Sequence, residues 1–142
     1  MKLLLSLTSI MLAMAVTSPA TARGGTPGPP VATYIAAAAA FWDTHTSAPR
    51  LASPTWTWNG GQCGQSAAAC ATLGTGLIWL VRPEWDRMRR QDKCVLVIHE
   101  YGHAAYGFQH TPGGIMAGDA TTYDHPPGAC LGQPFYARRG GR

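Results

Sequence analysis

Two histidines four residues apart, His99 and His103, with Glu100 directly after the first, are the side chains of this sequence best placed to do chemistry. On a helix, positions four apart differ by only ~40° at ~100° per residue, so both imidazoles project from one face, one turn apart. Such a pair can close on one metal ion at about 2.0–2.1 Å, the distance zinc takes to nitrogen. Glu100, turned ~100° from His99, flanks that ion without ligating it and reaches a water as general base. Zinc makes water acidic, with a pKa near ~7, so a nucleophile exists at neutral pH. The plain alternative is an incidental H-E-x-x-H on an ordinary helix. The five residues before it, Cys94 to Ile98 (CVLVI), are all apolar, so this helix runs through the middle of the molecule. Burying His99, Glu100 and His103 there without partners costs several kcal/mol, and a metal cleft removes that cost.

A tetrahedral catalytic site takes a third protein ligand and keeps one position open. No Glu follows Glu100, which leaves His110, His125, Asp119 and Asp124 as candidates. His110 is the best placed. Gly107 can adopt the left-handed conformation that ends a helix and turns the chain back, and His110 follows three residues later. His125 reads as a loop histidine and His45, on a polar stretch far upstream, as a surface one. Met116, in the tight turn 113–118, reads equally as core filler.

The segment His99 to Met116 (HEYGHAAYGFQHTPGGIM) resembles the zinc signature of metzincin-type metallopeptidases, H-E-x-x-H-x-x-G-x-x-H followed by a methionine turn. More loosely, residues 31–118 are similar in layout to small secreted matrixin-like proteins. The resemblance implies His99, His103 and His110 as zinc ligands, Glu100 as general base, Gly107 as the turn glycine and Met116 as the methionine beneath the metal. It implies a secreted zinc-dependent endopeptidase acting on peptides or proteins. An extended substrate would pair with a sheet edge beside the cleft, at the strand including Leu77–Val81 or the one before it. In some relatives a tyrosine stabilises the oxyanion; here that would be Tyr123, for which a packed or surface position is the plainer reading. One departure stands out. The signature has two residues between the second His and the Gly, whereas this chain has three, Ala104, Ala105 and Tyr106. An extra helical residue rotates the exit by ~100° and lifts it by ~1.5 Å. The helix must then end in a bulge or tighter turn, or His110 must enter from another angle. The alternative to an enzyme is a non-catalytic zinc-binding or partner-binding domain of the same fold, since the short segment after His110 makes only a shallow lower wall. Gln62-Cys63-Gly64 echoes a cysteine-switch motif only faintly.

The elements that must hold these residues predict an α+β fold, a minimal zincin-like domain. It has an N-terminal helix, a small mixed sheet, a central zinc-binding helix and a loop-rich C-terminal part. Val31 to Trp42 is alanine-rich helix material. Asp43 to Ser53 reads as loop and Thr55 to Trp58 (TWTW) as a short strand. Gln62 to Ala71 is ambiguous. Leu77 to Val81 (LIWLV) reads as a strand buried on both faces. Pro83 opens a helix, and Asp92 caps a second one unless the first runs on. The zinc helix ends at Gly107. Pro112-Gly113-Gly114 and Pro126-Pro127-Gly128 predict loop.

Residues 1–22 read as a secretory signal, with Lys2, an apolar stretch from Leu3 to Val16 and an A-x-A site ending at Ala22. That stretch is shorter than the ~20 residues that span a membrane. Residues 23–30 (RGGTPGPP) read as a flexible lead-in, and residues 31–142 as one domain with a basic Gly-rich tail. Of the 142 residues, 46% are hydrophobic and 13% charged, a balance that excludes bulk disorder. The net charge of +4 is spread thinly, with none of the basic stripe and stacking aromatics that a nucleic-acid partner requires. Without a basic amphipathic helix, no membrane anchoring is expected once the signal is removed, and a monomer is expected. Four cysteines in an exported chain imply two disulfides in one of three pairings. Cys63–Cys70 with Cys94–Cys130 is preferred, the second tying the chain's end to its central helix. No C-x-x-C pair supports a cysteine-bound zinc.

Overall fold

The computed structural model describes residues 29–59, 61–64, 66–118, 126–132 and 135. The readings of the secretory signal, of most of the lead-in, of Asp119, Tyr123, Asp124 and His125, and of the basic tail fall outside them. In chain order the elements are α1 (Val31–His45), β1 (Thr55–Trp58), β2 (Ala69–Ala71), β3 (Leu77–Leu80), α2 (Arg82–Arg87), α3 (Arg90–Tyr106) and α4 (Gly128–Leu131). Among the described residues this is a small mixed α+β domain with a three-stranded sheet and four helices.

The apolar run and the motif share α3, and every residue from Cys94 to Tyr106 is buried. A helix buried all round needs partners on more than one side. The first is α1, whose buried residues Tyr34, Ala38, Phe41 and Trp42 recur at helical spacing. Its Trp42 indole N–H donates to the Ile98 carbonyl at 2.8 Å, pinning the two helices together one residue before the motif. The second partner is the sheet, through Ile78 and Leu80, both fully buried. α1 extends three residues beyond the expected Trp42. Its last turn is closed by side chains: Thr44 Oγ1 donates to the Phe41 carbonyl at 3.0 Å and His45 Nδ1 to the same oxygen at 2.7 Å. Asp92 is not a cap. It lies in the first turn of α3, forked to the Arg89 guanidinium at 2.8 and 2.9 Å.

The end of α3 is also buried, so its last carbonyls need donors. Two loop segments supply them. Leu51 N–H donates to Ala105 O at 2.7 Å, Gly74 N–H to His103 O at 2.8 Å and Gly76 N–H to Ala104 O at 3.0 Å. Gly76 sits at φ +79°, and a Cβ there would lie 3.0 Å from the Ser53 carbonyl, so only glycine lets this loop come so close.

The strand order is β1-β3-β2, with β1 parallel and β2 antiparallel to β3. One expectation fails here and another holds only in its second form. β3 is not buried on both faces: Ile78 and Leu80 are buried and Leu77 and Trp79 only half so, because α3 covers one face of the sheet. Of the two strands expected to offer an edge, β3 cannot, since it is paired on both sides, whereas the strand before it can. The free edge beside the motif belongs to β2, inside the segment the sequence left ambiguous. Val81 N–H donates to Ala68 O and Thr72 N–H to Leu77 O. Alternation then turns the N–H and C=O groups of Ala69 and Ala71 to the open side.

Both preferred disulfides are present, Cys63–Cys70 and Cys94–Cys130. The second is fully buried and fastens α4, which the sequence reads as loop, to α3. Among the described residues no helix is long and apolar enough to cross a membrane.

Candidate metal centre

The two helical histidines face each other as the spacing requires. His99 Nε2 and His103 Nε2 are 2.9 Å apart. Their other nitrogens are spoken for: His99 Nδ1 lies 2.8 Å from the Ile115 carbonyl and His103 Nδ1 lies 2.5 Å from the Phe108 carbonyl. A carbonyl only accepts, so each Nδ1 carries the proton and each Nε2 presents a bare lone pair. Two lone pairs aimed at one another repel unless a cation lies between them. Fixing a ring through its second nitrogen is how metal-binding histidines are oriented. Tetrahedral ligation at about 2.0–2.1 Å sets two nitrogens about 3.3 Å apart, so a small outward movement admits an ion.

His110 completes the group. A ligand atom from each of His99, His103 and His110 lies within 4.8 Å of the others, so the three can hold a metal ion. The extra residue before Gly107 is absorbed in the helix exit. α3 runs on to Tyr106 and Gly107 takes the left-handed conformation at φ +69°. Gly107 N–H then donates to His103 O and Phe108 N–H reaches back to Gly102 O. That outer ring is one residue wider than the usual Schellman closure. Phe108 is thereby tied to α3 through both its N–H and its carbonyl, and two residues later His110 arrives over the pair. Its side chain is exposed, whereas His99 and His103 are buried.

Burial sets the charge states. It pushes His99 down from 6.5 to about 4, against the opposing Ile115 hydrogen bond, and pushes His103 down as well. Both rings are therefore neutral at pH 7, the form that ligates. Burial alone raises the Glu100 carboxyl from 4.5 to about 7. The Glu100 carboxyl has no hydrogen-bond or ion-pair partner among the described residues. It lines, with His99, His103 and His110, a cleft of about 400 Å³ whose opposite wall is residues 66–71, including the β2 edge. This donor set fits a divalent ion that accepts three imidazoles, as zinc does.

The turn after His110 supports the centre from beneath. Thr111 N–H donates to Met116 O at 2.9 Å and Ala117 N–H to Gly114 O at 3.0 Å. The turn thereby offers the Ile115 carbonyl to His99 and seats Met116, 6% exposed, against α3. The space for it is Gly102, inside the motif. A Cβ there would meet Met116 Sδ at 2.6 Å and Trp42 Cζ2 at 2.8 Å. Sequence reasoning missed Gly102, although a glycine in mid-helix costs about 1 kcal/mol against alanine and so asks for a packing reason. It also missed the Ile115 and Phe108 carbonyls, which no side-chain pattern announces.

Comparison with known protein families, with curated proteins and with solved structures found no match. The reading of the centre therefore rests on its own geometry.

Proposed function

We propose that the chain is a secreted zinc-dependent endopeptidase of zincin-like architecture, in keeping with the metzincin-type resemblance of His99 to Met116. The observation that carries this reading is the pair of bare Nε2 atoms 2.9 Å apart, on rings each oriented by a backbone carbonyl, with a carboxyl group next in sequence that has no partner among the described residues. His99, His103 and His110 would hold the ion. Bound there, zinc would polarise a peptide carbonyl and acidify water. Glu100 would take the proton from the attacking water and hand it to the leaving amine. A buried carboxyl group raised to about 7 suits both halves of that exchange. The outward N–H and C=O groups of Ala69 and Ala71 would hold an extended polypeptide along the cleft by adding a strand to the sheet. Two disulfides agree with an oxidising, extracellular setting.

Glu100→Gln tests the proposal. The amide keeps the shape of the side chain and cannot accept the proton. Hydrolysis of an unfolded protein should fall by about 10²–10⁴-fold while bound zinc, measured by atomic emission, stays at the wild-type level. If the zinc-loaded wild type cleaves no unfolded protein or peptide library, the centre belongs to a zinc-binding domain without catalysis. Such a domain needs the histidines and not Glu100.

A further inference from the structure

A second cavity, of about 370 Å³, backs onto the metal centre from the side of α1. Trp42, Phe108 and Met116 line it, with His45, Gln109 and His110 among the polar residues around them. The sequence reads His45 as a surface residue on a loop. His45 is indeed exposed, but it closes α1 rather than lying in a loop and stacks on Phe41 with ring centroids 3.9 Å apart.

The lining defines the ligand. The Trp42 N–H is already given to Ile98 O, so Trp42, Phe108 and Met116 present only ring faces and a thioether. Thr111 Oγ1, also on the lining, donates to Gly113 O at 2.6 Å. His45 Nδ1 donates to Phe41 O, which leaves Nε2 as an acceptor and the only uncommitted polar atom of that ring. The exposed Gln109 amide both donates and accepts, so it does not discriminate. An apolar cavity of 150 Å³ already holds a benzene ring, so this one has room for an aromatic side chain. His110 lines this cavity and the metal cleft alike, which makes the two spaces neighbours across one imidazole.

We infer that this cavity is a binding pocket for an aromatic ring bearing a hydrogen-bond donor, the phenol of a tyrosine or the indole of a tryptophan, carried by the polypeptide that lies over the metal centre. The assignment of the polypeptide as the source rests on the proposed function; the chemistry of the pocket does not. Aromatic faces stack on Trp42 and Phe108, and the donor meets His45 Nε2.

The test uses the full-length protein with ¹³C-labelled methionine methyls, titrated with the N-acetyl amides of tyrosine, tryptophan and phenylalanine. The Met116 methyl should shift saturably while Met88, in the linker between α2 and α3, serves as the control. Tyrosine and tryptophan amides should bind about five- to tenfold tighter than the phenylalanine amide, the size of one hydrogen bond. His45→Leu should erase that preference and keep ring binding; Gln109→Trp, filling the mouth, should weaken all three amides. No saturable Met116 shift, or equal affinity for the three amides, overturns the pocket. The source is read separately, with zinc-loaded protein and a peptide series carrying Tyr, Trp or Ala at each position. If the free amides bind and no position gains from Tyr or Trp, the polypeptide assignment is overturned while the pocket stands. If the amides bind and nothing is cleaved, it is the protease reading that has failed.

Discussion

His99 and His103 differ from His110 in how they are held. The first two are buried on one helix, and each has its second nitrogen bonded to a backbone carbonyl. The third is exposed on the segment after the helix, placed by the path of the chain, with no hydrogen bond to its ring among the described residues. The rings in the helix are preorganised for an ion, and the third must be drawn in. Affinity for an ion should thus reside mainly in the helical pair, with His110 as the adjustable third ligand.

That difference can be broken by substitution. The largest effect expected is on metal binding. His99→Ala or His103→Ala should remove measurable zinc retention on dialysis and also lower the melting temperature, since each opens a cavity in the packed interior. His110→Ala should weaken zinc by about 10–100-fold, comparable to losing a supporting contact, with the melting temperature of the metal-free protein unchanged. Competition against a chromogenic chelator measures both. Equal losses in the three variants would mean that the exposed ring is as firmly placed as the buried ones.

The two disulfides extend the contrast between the helix and its surroundings. Cys94–Cys130 closes 36 residues of separation inside the core, whereas Cys63–Cys70 closes 7 beside the cleft. Chain-entropy reasoning assigns them about 4 and about 2.5 kcal/mol. Denaturant unfolding of Cys94→Ala/Cys130→Ala should therefore show the larger loss. Cys63→Ala/Cys70→Ala should leave zinc binding intact and impair peptide binding along β2. A reversed ranking would place the weight of stability on the cleft wall.

The smallest effect is expected within the helix itself. Gly102→Ala raises helix propensity by about 1 kcal/mol, yet its methyl would sit 2.6 Å from Met116 Sδ. Overpacking of this kind costs about 1–3 kcal/mol, so the melting temperature should fall despite the better helix former. A rise would show that Met116 moves aside freely.

What the sequence disclosed and what it withheld divide along physical lines. The helix carrying His99, Glu100 and His103 was legible because its apolar run and ligand spacing are local. The disulfide pairing was open among three from the sequence; the one preferred, because it ties the chain's end to the central helix, is the one the structure has. β2 was not legible. Its residues, Ala-Cys-Ala, have little strand preference, and pairing with β3 makes the strand. α4 is four residues long, too short to be announced by a pattern, and carries Cys130 of the disulfide to α3. The wider exit at Gly107 could be posed as a question from the spacing, but the Phe108 N–H that answers it is a backbone group. The same is true of the carbonyls behind both imidazoles, since main-chain acceptors leave no trace in residue type.

Ile115 and Met116 are consecutive, and they hold different things. One gives its carbonyl to His99 and the other its thioether to the hollow at Gly102. A disturbance of the packing under α3 is therefore transmitted to the imidazole by a single peptide unit, without the helix bending at all. If the sulfur is unseated, the oxygen withdraws with it, the ring is released to rotate or to carry its proton on the other nitrogen, and the fault surfaces as altered metal chemistry while the helix stays intact.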